Sequence, residues 1–173
     1  MRIKITETKV YKFEELTDEQ KDKVIEKHYD INVDYDWWDS VYEDARQIGL
    51  KITAFDIDRG SYCKADFIHG AIDTANLITE NHGYKTETYQ DAVNYLKERK
   101  ELLASELKKN EDDEDFTEDD VDFEDIDHEF LKSLREDYLI ILRNEFEYLT
   151  SKEAIIETIE ANDYEFDENG NIA

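Results

Sequence analysis

Phe123–Leu149 reads FEDIDHEFLKSLREDYLIILRNEFEYL, and this stretch decides how the chain folds. Phe123, Ile126, Phe130, Leu134, Tyr138 and Ile141 recur at three- and four-residue steps, the spacing of one face of an α-helix. Leu131, Leu142, Phe146 and Leu149 widen the stripe. An apolar face of this width is buried against other elements, so the segment is expected to be the longest helix and the spine of the core. The carboxylates of Asp120–Glu129 suit its opening turns, because the helix macrodipole favours negative charge there.

Immediately upstream lies EDDEDFTEDDVDFEDIDHE, Glu111–Glu129, with no Lys or Arg in it. Its first part reads as a flexible connector over 110–121, since like charges repel and resist compaction. Before it, Tyr89, Ala92, Val93, Leu96, Leu103 and Leu107 mark a helix running from near Thr88 to Lys109. Ala71, Ile72, Ala75 and Ile78 mark a shorter one that Gly83 stops. Leu50–Asp58 and Tyr62–His69 are β-prone runs joined at Arg59-Gly60-Ser61, which predicts a hairpin.

Nearer the start, Arg2–Phe13 reads as a strand. Thr17 and Gln20 form a capping box for a helix that carries Val24, Ile25 and Tyr29 inward. A second helix is expected over 36–48, with Gly49 as its stop. Trp37 and Trp38 are adjacent there, so one belongs to the core and the other to a boundary or an interface. After the long helix, Ser151 caps a final one over Lys152–Asn162. The turn Asp167-Glu168-Asn169-Gly170 then allows a terminal strand or hairpin. The element order predicts an α+β fold, a helix-rich single domain with a small antiparallel sheet.

The chain has 173 residues, a formal charge of −26, a 39% hydrophobic fraction and a 12% aromatic fraction. That is apolar enough for a packed core. The charge repels nucleic acid and anionic membrane and attracts cationic surfaces. One cysteine, Cys63, allows no internal disulfide and fits a reducing compartment. No run reaches transmembrane length and no secretory leader is evident, so the placement expected is cytoplasmic.

Catalytic and metal motifs are weak. Asp56-Ile57-Asp58 resembles the nucleophile motif of haloacid-dehalogenase-type phosphatases, which act with Mg²⁺. Here, however, it leads into a tight turn and not into a crossover helix. Asp30-Ile31-Asn32-Val33-Asp34 alternates oxygen ligands as a calcium loop does. It then places Tyr35 where Gly is needed and Val41 where the bidentate Glu belongs. His28, His69, His82 and His128, with Cys63, show no zinc spacing. No P-loop or Gly-rich dinucleotide fingerprint occurs, and no cofactor is expected.

The charge remains. Duplex DNA presents one negative charge per ~1.7 Å of axis, and its binders place Lys and Arg to match. Carboxylates one helical turn apart recur at ~5–6 Å and can occupy such a groove. Glu111, Asp112, Asp113, Glu114, Asp115, Glu118, Asp119, Asp120 and Asp122 are therefore the candidate partner-binding residues, with Trp37, Asp39 and Glu43 extending the surface. The competing reading of the run is a solvated linker.

KVYKFEELTDEQKDKVIEKHYDINVDYDWWDSVYEDARQIGLKITAFDIDRGSY, with Tyr148-Leu149-Thr150-Ser151 and Tyr164-Glu165-Phe166, resembles a group of small acidic proteins of phages and prophages. In composition the chain is also similar to the DNA-mimic anti-restriction proteins. The resemblance implies phage–host conflict inside a bacterial cell, where inhibitors of nucleases, anti-CRISPR proteins among them, are common. It transfers no site residue. The expectation is a non-enzymatic inhibitor whose acidic surface closes on a cationic cleft of a nuclease or other nucleic-acid-binding protein. An adaptor working through an aromatic patch around Trp37 and Trp38 is the alternative, and a phosphatase using Asp56 and Asp58 is a third.

Overall fold

A computed structural model describes residues 9–173. Among them are six α-helices and two two-stranded antiparallel sheets, a helix-rich α+β fold. The elements are β1 (Tyr11–Lys12), α1 (Asp18–Lys27), α2 (Asp39–Gln47), β2 (Leu50–Asp56), β3 (Tyr62–Phe67), α3 (Ala71–Asn81), α4 (Glu87–Lys109), α5 (Glu124–Leu149), α6 (Lys152–Ala161) and β4 (Glu165–Phe166). They divide into two compact units, one made of the described residues to Trp37 with Asn144–Ala173, the other of Trp38–Arg143.

In the first unit β1 pairs with β4, Tyr11 opposite Phe166 and Lys12 opposite Glu165. The strand expected over Arg2–Phe13 lies outside the described residues as far as Thr8. Among the described residues it is only Tyr11–Lys12, and Phe13–Glu15 is a 3₁₀ turn. Helix α1 opens on the expected box: Thr17 Oγ1 accepts from the Gln20 amide, and Gln20 Oε1 accepts from the Thr17 amide. Phe13, Leu16, Val24, Ile155, Ile159 and Phe166 form the buried centre. Each such side chain withdrawn from water contributes about 1.5–3 kcal/mol before chain entropy is counted. Tyr29 is not part of it. The ring is half exposed, because α1 has already ended at Lys27.

The second unit is built on the β2–β3 hairpin, in register from Leu50 opposite Phe67 to Asp56 opposite Tyr62, with an irregularity between Ile52 and Ala54. Helix α2 packs on β2, and α3 packs on α4. Gly49 ends α2 at φ +78, where a Cβ would meet Thr74 Oγ1 at 3.2 Å. Left-handed backbone and a close neighbour both demand glycine there. Phe130, Leu134, Tyr138 and Leu142 of α5 are all buried, as the periodicity requires. The Arg135 guanidinium donates to the Ala65 carbonyl of β3 at 2.6 and 2.9 Å. Ile72, Val93 and Leu107 were expected inside with their helical partners and are exposed at 37%, 39% and 41%. Leu107 lies in the last turn of α4.

Strands β2 and β3 each end two residues sooner than expected, and two helix starts differ from the sequence reading. Helix α2 begins at Asp39 and not at Asp36, because Tyr35–Trp37 forms a tight turn in which the Trp37 amide donates to the Tyr35 carbonyl at 2.7 Å. Helix α5 begins at Glu124, preceded by a separate 3₁₀ turn at Glu118–Asp120. Asp122 Oδ1 accepts from the Glu124 amide at 2.9 Å and so covers one of the free N–H groups at the helix start.

Candidate partner-binding surface

Trp38–Arg143 carries 28 acidic and 13 basic side chains. Thirteen of the acids fall within Glu111–Glu129, and the remaining 15 are nearly matched by the bases. The net charge of this unit therefore resides almost wholly in one 19-residue segment. The other unit, counted over its full sequence, has 19 acids and eight bases, so negative charge is not confined to the run.

All nine candidate carboxylates from Glu111 to Asp122 are exposed. Of the thirteen acids, three are ion-paired among the described residues: Glu118 and Asp127 with Arg99, at 3.4 and 3.9 Å, and Glu129 with Lys132 at 3.4 Å. The others face water without a counter-charge from the described residues. Asp113 Oδ1 accepts from the Asp115 amide at 3.1 Å, and Asp120 Oδ2 accepts from the Thr117 amide at 2.9 Å. These local bonds shape the segment into short turns.

The far end of the run is fastened by Arg99, a residue that the sequence reading missed. Its guanidinium lies 3.5 Å above the Phe123 ring centroid, reaches Glu118 on one side, and approaches Asp127 on the other. Tyr95 completes the group by donating to Asp127 Oδ1 at 2.6 Å. Val121 and Phe123 are buried beside these contacts in sequence, so the acidic turns are tethered by apolar anchors. Arg is suited to this task because one planar group can stack on a ring while donating in its own plane. Arg99→Met is expected to destabilise the unit by about 1 kcal/mol. It should also speed hydrogen exchange at Asp120 and Val121, whose amides bond to the Thr117 and Glu118 carbonyls. Unchanged exchange at those two amides would show that the clamp does not hold the segment.

The outlying candidates divide. Asp39 and Glu43 are exposed on α2, where Glu43 pairs with Arg46 at 3.2 Å, and no hydrogen bond or ion pair joins them to the run. Trp37 is a correction. It is only 9% exposed, with its ring centroid 5.4 Å from that of Phe146, so it is a core residue and not a contact surface. Trp38 is half-buried, 5.5 Å from Phe55.

Asp56 ends an antiparallel strand, and its Oδ1 accepts from the Asp58 amide at 2.8 Å, closing the turn on itself. Asn32 of the calcium-like stretch is buried. Its amide donates to the Leu149 carbonyl, and its oxygen accepts from Thr158. No group of three or more His, Cys, Asp or Glu stands in metal-holding geometry among the described residues. Burial pushes the Cys63 thiol up to about 11. His82 lies 3.6 Å from Asp44, and Tyr138 donates to the same carboxylate at 2.7 Å. The His82 contact is the main cause holding Asp44 below the usual carboxylate range.

A second acidic group lies between α4 and α5. Asp137 Oδ2 is buried and has no hydrogen-bond partner among the described residues. Burial, then the nearby Asp91, Glu87 and Glu136, push Asp137 up to about 7. Asp91 is raised as well, by burial first and then by Glu87.

No protein-family model, curated protein or solved structure matches this chain. No helix among the described residues is long and apolar enough to cross a membrane.

Proposed function

We propose that the chain is a non-enzymatic inhibitor that uses its acidic segment to occupy a cationic cleft built for nucleic acid. One observation carries this reading: a unit that is nearly neutral outside one segment holds thirteen acids within that segment's nineteen residues, most of them without an internal cation. A solvated linker needs no fastening, whereas the far end of this segment is tied down by Arg99, Val121 and Phe123. Tethering lowers the ordering cost that a free polyanion pays on binding. The partner class is a basic nucleic-acid-binding protein. The resemblance of the quoted stretches to phage and prophage proteins favours a host defence nuclease, of the restriction or CRISPR kind, in the bacterial cytoplasm.

The test exchanges Glu111, Asp112, Glu114, Asp115 and Asp119 for their amides. Asp113, Asp120 and Asp122 are left alone because they close turns. Restriction and CRISPR nucleases are then assayed for inhibition by both forms across a salt series. Exposed charges contribute a few tenths of a kcal/mol each, so a loss of about tenfold and a flatter salt dependence are expected. Equal inhibition by both forms, insensitive to salt, would remove the acidic segment from the mechanism.

A further inference from the structure

Beside the fastened end of the acidic segment lies an open groove of about 540 Å³. Phe67 at the end of β3, Phe123 just before α5 and Leu131 of α5 give it an apolar floor. Phe67 stacks on Phe130 at 5.9 Å, and Phe130 stacks on Tyr95 at 4.5 Å, so the floor rests on a run of packed rings. Glu124 and Asp127 stand on its rim, with His128. Arg99 is there too, but its charge is already engaged by Glu118 and Asp127 and its face by Phe123.

Resting on the inhibitor reading above, we infer that the partner is held by an apolar anchor as well as by charge. The groove receives an aromatic or leucine-sized side chain from a segment of the partner protein flanked by Lys or Arg. Charge complementarity selects that occupant: the rim and the adjoining run are anionic, which repels nucleic acid and acidic peptides. The floor in turn selects against a purely charged ligand, since a polycation without an apolar residue leaves it wet. Interfaces of this composition draw their specificity from one anchor in a pocket and their approach from the surrounding charge.

Two fluorescein-labelled peptides of one lysine-rich sequence test this, the first with a central Phe and the second with Ala in its place. Each is titrated at low salt into the full chain and into Leu131→Glu, which blocks the groove while adding negative charge. The Phe peptide is expected to bind the native chain about tenfold more tightly than its twin, the scale of burying one ring. On Leu131→Glu the ratio should fall to about twofold or less. A second readout needs no variant: the Leu131 methyl and Phe67 ring resonances of the native chain should shift with the Phe peptide and not with the Ala peptide. Equal, salt-sensitive binding of both peptides, or a ratio that survives Leu131→Glu, would overturn the groove and leave the acidic segment as the binding surface. Failure of both peptides to bind would overturn the groove and the inhibitor reading together.

Discussion

Leu134→Ala is expected to lower the free energy of unfolding by about 3–4 kcal/mol. Leu134 is fully buried at the middle of the apolar face of α5, between Phe130 and Tyr138, which are also buried. Truncation removes the transfer energy of the lost methyl groups and leaves a cavity that a helix of this length has little freedom to close. Ile140 is the internal control. It lies on the same helix but is 51% exposed, so Ile140→Ala should cost well under about 1 kcal/mol. Urea titrations of the two variants measure the contrast. If they unfold at the same midpoint, α5 is not the spine of its unit.

The second large effect has the opposite sign. Asp137→Asn is expected to stabilise the protein at pH 8 by about 2 kcal/mol. The folded state holds the Asp137 proton up to about 7, against an ordinary value of 3.8, because of burial and the neighbouring Asp91, Glu87 and Glu136. The folded chain therefore binds more protons than the unfolded chain between these values. Stability from this group is complete below the lower value and is lost as pH rises through the upper one. A fully insulated carboxyl would forfeit about twice the stated amount, and partial access to water screens the rest. Asn carries no titrating proton, so the advantage of the variant should shrink toward zero near pH 4. Thermal melts of both proteins from pH 4 to 8 decide it, and a gap that does not change with pH would remove Asp137 as its cause.

How much of this was legible beforehand differs from element to element. The apolar spacing of α4 and α5, the Thr17–Gln20 box and the Gly49 stop were plain, because each is a local rule expressed within a few residues. The β1–β4 pair was not, since Tyr11 and Phe166 meet across nearly the whole chain and no short pattern records that meeting. Trp37 shows the same limit. Residue type could say that one indole would be buried, but which one depends on contacts distant in sequence, such as that of Trp37 with Phe146. In the candidate site the acidic run was conspicuous and is exposed as expected. Arg99 was hidden in the Lys97–Glu101 stretch, where it looks like any solvated charge. Its role depends on Phe123 and Glu118 returning to it in space. Asp137 did leave a trace: the steps from Leu134 to 137 and from 137 to Ile141 continue the buried interval, so a carboxylate fell on the inner edge of the stripe.

The uneven placement of charge within Trp38–Arg143 also bears on kinetics. Within that unit, charge that is close to balanced except in one segment gives an uneven field with a dipole component. A cationic partner coming within a Debye length, about 10 Å at 0.1 M salt, exerts a torque on that dipole before any atoms touch. Encounters are then pre-aligned, and dilution of the buffer should speed capture far more than it prolongs residence.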